Sequence, residues 1–220
     1  MPGVTLTVDD SRIGKATDAI DQMGGALSGD EVKRAMGAAL RLTIINHFAR
    51  LEGDIGRHKT AARLGATSTG FYADCARGTQ LPEVRPDGVA VAITKEGIAQ
   101  RYFGGTIKPG ASKKWLTIPA IAEAYSKRAR SFSNLRFVPL GPDLAALVER
   151  RATLLKRSRK GFTPAAETIG PVWYWLKRQV TQPADPNVLP MPKEMIDAAA
   201  KEGNDTISRI WQRMRDASSK

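Results

Sequence analysis

Apolar residues recur at three- and four-residue spacings through Val32, Met36, Ala39, Leu40, Ile44, Phe48 and Leu51. That period predicts an amphipathic helix from Asp30 to Leu51, started at Ser28-Gly29-Asp30 and stopped by Gly53. Its length is about 33 Å, ample to cover one side of a sheet. A shorter helix is expected ahead of it, with Ile13, Ala16, Ile20 and Met23 on one face, Asp9, Asp10 and Ser11 as caps, and Gly24-Gly25 as the stop. Val4–Val8 alternates weakly, as a small edge strand would. Shorter helical pieces are expected at Lys59–Leu64 and Ser68–Arg77. Near the other end, Met195, Ile196, Ala199, Ile207, Ile210, Trp211 and Met214 form an intermittent apolar stripe along Lys193–Ala217. Gly203-Asn204 weakens the centre of that last helix and is a place for a kink.

Elsewhere the period shortens to two. Glu83–Arg85 and Val89–Ile93 flank Pro86-Asp87-Gly88, where proline presets φ, Asp accepts a local hydrogen bond and Gly supplies a positive φ. The spacing predicts an antiparallel hairpin with Val89, Val91 and Ile93 on the core face. Tyr102–Pro119 reads as strand, loop and strand: an aromatic pair, Gly104-Gly105, Thr106-Ile107, a Pro109-Gly110 turn, basic Lys113-Lys114, then Trp115–Ile118 closed by Pro119. After Pro119 a helical start is expected around Ala120–Arg130. Leu135–Val138 is a strand candidate, and Leu144–Glu149 is strand or helix. Val172–Val180 is an aromatic strand with Val172, Tyr174 and Leu176 on one face and Trp173, Trp175 and Lys177 on the other. Aromatics on both faces point to burial on both, or to one face offered to a neighbour.

These elements predict an α+β fold, an antiparallel sheet packed against the long Asp30–Leu51 helix. Pro183, Pro186, Pro190 and Pro192 make residues 182–192 an extended, stiff spacer. The expected division is therefore a core domain at 1–181 and a proline-rich arm with its helix at 182–220. A helix carried on such an arm must bury its stripe on its own body or on another subunit. The interface candidates are Trp173 and Trp175 on the aromatic strand, with Ile207, Ile210, Trp211 and Met214 on the helix, all expected to pack on a second subunit or partner.

Charge changes the picture more than overall composition does. The 220 residues carry 34 Lys and Arg against 22 Asp and Glu, a formal net charge of +12. Such a surplus favours nucleic acid or acidic protein surfaces as neighbours. Arg150, Arg151, Lys156, Arg157, Arg159 and Lys160 form one run within 150–160 that contains no acid after Glu149. Like charges so close repel, and DNA phosphate, acidic rims of adjacent subunits or plain solvation would each relieve them. Lys113 and Lys114 form a second basic tip. Lys113, Lys114, Arg157, Arg159 and Lys160 are thus the candidates for contact with DNA. No apolar run approaches the roughly 20 residues that span a bilayer. The lone Cys75 offers no intrachain disulfide, and Met1–Thr5 lacks the pattern of a secretory signal, so a product made in the cytoplasm is expected.

Chemistry is harder to find. The two histidines, His47 and His58, stand apart from Cys75, and no metal-ligand spacing accompanies them. Asp54 and His58 could pair on spacing alone, but no nucleophile motif goes with them. Gly104-Gly105 lacks the remainder of a phosphate loop. The expectation is a chain with no catalytic residue, metal or cofactor, and not an enzyme.

Two segments carry a resemblance. Phe103-Gly104-Gly105-Thr106-Ile107-Lys108-Pro109 is followed by Lys114-Trp115-Leu116-Thr117-Ile118-Pro119, and Pro171–Leu176 with Val180-Thr181-Gln182-Pro183 to Leu189-Pro190 adds a later echo. This wording resembles the virion-morphogenesis family, the tail-completion or neck proteins of Mu-like and related tailed phages. With the helical first half, the resemblance runs from about Glu31 to the last helix, and only these segments are specific. It implies a structural virion protein at the neck or head-proximal tail end, assembled with itself as a ring around the DNA channel. Hexameric rings are usual at that position. The implied partners are neighbouring neck, portal-side and tail-tube proteins, with non-specific contact to genomic DNA and no membrane. Tail terminator and head-side connector stay open. The alternative is a small basic DNA-binding protein without a virion role, although no helix-turn-helix, zinc-finger or RNA-recognition signature is visible.

Overall fold

The structure, a computed structural model, describes residues 24–25, 29–150, 155–158, 161–164 and 169–218. The strand expected at 4–8 and the helix expected from Ser11 to Met23 lie outside the described residues, while Gly24 and Gly25, read as a stop, are themselves helical. The fold is α+β, with five labelled helices and ten antiparallel strands among the described residues. The helices are α1 (Asp30–Gly53), α2 (Lys59–Leu64), α3 (Phe71–Arg77), α4 (Ile98–Phe103) and α5 (Pro192–Ser218). The strands are β1 (Glu83–Arg85), β2 (Gly88–Ala90), β3 (Gly105–Ile107), β4 (Leu116–Pro119), β5 (Leu135–Pro139), β6 (Leu144–Arg150), β7 (Leu155–Ser158), β8 (Gly161–Pro164), β9 (Ile169–Lys177) and β10 (Val180–Gln182). Short 3-10 turns at Ala122–Ala124 and Ala129–Ser131 take the place of the helical start expected after Pro119.

The chain forms two compact units. The first combines the described residues before Arg50 with Asp74–Lys95 and those from Leu189 onward. Its core is the predicted apolar face of α1: Val32, Ile44 and Phe48 are buried, together with Cys75 and Thr79. The Thr79 hydroxyl donates to Cys75 O at 2.9 Å, which satisfies a polar group that would otherwise be costly to bury. Gly37 is a close-approach position, because an added Cβ would lie 2.5 Å from Pro82 Cβ and 2.6 Å from Val89 Cγ2. The β1–β2 hairpin forms around the Pro86-Asp87 turn, with Val84 opposite Val89, but β2 ends at Ala90, and Ile93, expected on the same strand, bridges Thr79 instead. Lys33 Nζ donates to the carbonyls of Arg85 and Pro86 at 3.0 and 2.8 Å, holding that turn to α1.

The last helix belongs to this same unit. It runs unbroken through Gly203-Asn204, and the reason is contact rather than propensity: a Cβ at Gly203 would meet Met36 Cγ at 3.0 Å. Arg213 bonds Glu31 at 2.6 Å. So α5 is seated on α1 of its own chain. The compact units consequently do not follow the expected 1–181 and 182–220 division, because the proline-rich segment leads back to the first unit instead of away from the body.

The second unit comprises Arg50–Ala73 and Glu96–Val188. Its main sheet has the strand order β4-β9-β6-β5, all antiparallel. Leu144–Glu149, readable from the sequence as strand or helix, lies in β6 (Leu144–Arg150), a central strand there. Ala145, Ala146, Val148, Tyr174 and Leu176 are buried, since small residues on β6 let its neighbours close over it. Two further pairs stand apart from that sheet: β10 with β3, and β7 with β8.

The strand–loop–strand expectation for Tyr102–Pro119 is corrected in its pairing. Both strands form, but β3 pairs with β10 and β4 pairs with β9, so they belong to different sheets. Gly104 explains the parting. Its backbone takes φ 71°, ψ −164°, a region essentially reserved for glycine, and a Cβ there would sit 2.5 Å from Ala184 N and 2.8 Å from Gln182 O.

Candidate functional site

The segments singled out by wording meet in the second unit. Gly105–Ile107 lies against Val180–Gln182, with Thr106 opposite Thr181. Leu116–Pro119 lies against Tyr174–Lys177, with Ile118 opposite Trp175 and Pro119 opposite Tyr174. Residues from about 55 to 77 positions apart therefore form a frame of two strand pairs, one in each of two sheets. Phe103, just ahead of the glycine pair, is left 75% exposed.

From this frame hangs a groove of about 590 Å³, walled by the loop from Lys108 to Thr117 and the loop from Ala124 to Arg130. Five cations line it: Lys108, Lys113, Lys127, Arg128 and Arg130. No carboxylate or carboxamide is among the lining residues. Both walls are anchored. Tyr174, 1% exposed, projects from β9 with its hydroxyl 3.1 Å from Ala124 O and 3.0 Å from Lys127 O, one proton shared between two carbonyls. Burial pushes the Tyr174 phenol above its ordinary pKa, so it stays a donor. Ser126 adopts a positive φ of 64°, which reverses the loop just before Lys127. Phe132 packs on Trp173 at 4.7 Å between ring centroids, and Lys127 Nζ stands 5.9 Å from the Phe132 ring. On the opposite wall, Arg178 lies 4.5 Å over the Trp115 ring. Lys113 N bonds Gly110 O at 2.8 Å, closing the Pro109-Gly110 turn.

Of the basic candidates read from the sequence, Lys113 lines this groove and Lys114 stands beside it, exposed, with its carbonyl facing Arg178. Arg157 is on β7, its side chain outside the described residues, and Arg159 and Lys160 also fall outside them. Lys127, Arg128 and Arg130 were missed by the sequence reading. Their signal was present, three cations in four positions, but the stretch looked like the start of a helix.

The interface candidates separate. Trp173 is half-buried and packs on Phe132, whereas Trp175, two residues along β9 and opposite Ile118, is 37% exposed. On α5, Ile207, Ile210 and Met214 are half-buried and Trp211 is 44% exposed. The stripe is thus partly covered within the chain.

The cluster of titratable groups around Glu52 has a structural explanation. Glu52 accepts from the Ser68 hydroxyl at 2.6 Å and from the N–H groups of Tyr72 and Ala73 at 3.0 and 3.1 Å. A carboxylate there caps the start of α3 and complements its dipole. Burial alone would raise the Glu52 pKa, but the Ser68 hydroxyl, the two N–H groups and nearby His58 outweigh it and hold it below the ordinary value. His58 turns its Nε2 to Glu52 O at 3.0 Å. Asp54 is occupied elsewhere, accepting from Gly56 N at 2.8 Å, so the Asp54–His58 pairing does not form. His47 makes an edge contact with Phe48 on α1. Comparison of the chain with protein-family models, with curated proteins and with solved structures gives no match.

Proposed function

We propose that this chain is a structural protein of the tailed-phage neck, completing the tail end or joining tail to head as a homo-oligomeric ring around the DNA channel. The observation that carries the reading is the pairing of the family-like segments. Gly105–Ile107 with Val180–Gln182, and Leu116–Pro119 with Tyr174–Lys177, form a hydrogen-bonded frame of two strand pairs. That frame holds loops and exposed apolar side chains, Phe103 and Trp175 among them. A building block needs such a frame, because a ring closes only when heterologous contacts repeat at a fixed angle. Exposed aromatics on a rigid strand are suited to those contacts.

The mass of the purified protein tests this, alone and mixed with tail-tube or portal-side partners. A closed multimer of the 23.9 kDa subunit under one of these conditions is the expected result. A monomer under all of them would count against it. The second reading, a small basic DNA-binding protein with no virion role, is favoured by the cationic groove alone. It differs in one respect that can be checked, since such a protein would be missing from purified particles.

A further inference from the structure

We infer that the groove between the 108–117 and 124–130 loops seats the phosphodiester backbone of double-stranded DNA without regard to sequence. The inference deepens the neck reading by naming the part of the chain that meets DNA.

Four observations lead there. Lys108, Lys113, Lys127, Arg128 and Arg130 converge on one cavity of about 590 Å³, too large for a single phosphate and open to a chain of them. Lys108, Lys113, Lys127, Arg128 and Arg130 are exposed, and no ion pair joins them to a carboxylate among the described residues. Solvent screens their mutual repulsion, and an anion from outside relieves it further. The walls are fixed in advance by the Tyr174 hydroxyl and by Arg178 on Trp115, so little ordering is needed on binding. Finally, the charged lining is Lys and Arg alone, with no Asp or Glu among it, which suits phosphate oxygens, and its one wall indole, Trp115, is covered by Arg178. Contact with backbone phosphates is what this lining favours. An acidic protein surface would also meet the cations, and competition by poly-glutamate distinguishes that occupant from duplex.

The test uses the full-length protein and two unrelated duplexes of equal length, with affinity followed against salt. The expected result is equal affinity for both duplexes and a log–log salt slope of roughly −4 to −5 for five neutralised phosphates. Lys127→Gln, Arg128→Gln and Arg130→Gln together should weaken binding by about tenfold or more and flatten the slope by roughly 2–3. The charge-matched control Lys193→Gln, Lys201→Gln and Arg215→Gln on α5 should leave the slope nearly as it was. Thermal melts of both triple variants would confirm that these exposed changes leave folding intact.

Equal losses in the two triple variants would overturn the groove, showing that net charge alone drives binding. Tighter binding of poly-glutamate than of duplex would overturn DNA as the occupant in favour of an acidic protein. A strong preference for one duplex would overturn backbone recognition. None of these results bears on whether the chain assembles or enters particles, so failure of the groove and failure of the neck reading are told apart.

Discussion

Two grooves, one in each unit, differ in how their charges are settled. In the first unit the groove along α1 and α5, about 670 Å³, is lined by Glu31, Glu202 and Asp216 together with Arg209 and Arg213. Its cations are matched internally: Arg213 bonds Glu31 at 2.6 Å and Arg209 bonds Glu202 at 2.7 Å. In the second unit the groove holds five cations and no carboxylate. A surface whose charges are paired asks nothing of a partner. A surface of one sign, on walls held still by hydrogen bonds, is incomplete until an anion arrives. Groove size is similar in the two, so it is compensation that distinguishes a seam between helices from a binding surface.

The sharpest way to break the second surface is through the frame beneath it. Gly104→Ala would place a side chain in a glycine-only conformation and against Ala184 N, Gln182 O and Pro183 C, all within 3 Å and all backbone. Strain and overpacking together should cost about 2–5 kcal/mol in denaturant unfolding. A loss below about 1 kcal/mol would mean that β3 and β10 are not held as described.

Next in size comes Glu52, the carboxylate whose partners are all supplied by the chain. Glu52→Gln should cost about 1–3 kcal/mol, since it trades charged hydrogen bonds at the α3 start for neutral ones. The pH dependence has a definite sign. Because the folded pKa lies below the ordinary glutamate value, the Glu52 contribution is fully present above that value. It is lost as pH falls through the folded pKa. The native protein should therefore lose its advantage over Glu52→Gln on acidification, and a gap that stays constant into acid would refute the assignment.

Tyr174→Phe should cost about 1–2 kcal/mol by leaving the Ala124 and Lys127 carbonyls short of a donor. It also sharpens the comparison, because it should weaken DNA binding without removing a charge. Unaltered affinity in a stable variant would show that the 124–130 wall needs no fixing. The smallest effect belongs to the compensated groove. Arg213→Ala breaks an ion pair whose two side chains are 63% and 58% exposed, and should change stability by less than about 1 kcal/mol.

The sequence displayed elements better than it displayed their partners. Long periodic stretches were legible, and α1, α2, the β1–β2 turn and α5 fall where spacing and stop residues place them. Pairing was not legible for Tyr102–Pro119, where a Pro-Gly turn between two apolar runs looks like a hairpin. The parting of those runs depends on Gly104 touching residues eighty positions away, which no local pattern reports. For α5, the proline-rich stretch suggested separation, while Gly203 looked like a weakness. In the fold Gly203 is the close contact that lets α5 lie on α1. The groove was half visible: Lys113 stood out beside a turn, but Lys127, Arg128 and Arg130 join it only because β4 and β9 pair and Tyr174 draws the second loop in.

The central claim, a structural part at the neck, meets its most direct test in a phage whose copy of this gene is inactivated, with its lysates examined by electron microscopy. The expected particles are filled heads and tails that fail to join or are incompletely finished. Supplying the native chain, or a variant with His47, His58 and Cys75 all changed to alanine that still folds, should restore infectious particles. Complete, infectious particles in the absence of the chain would contradict the claim, as would rescue by the native chain but not by the folded triple variant.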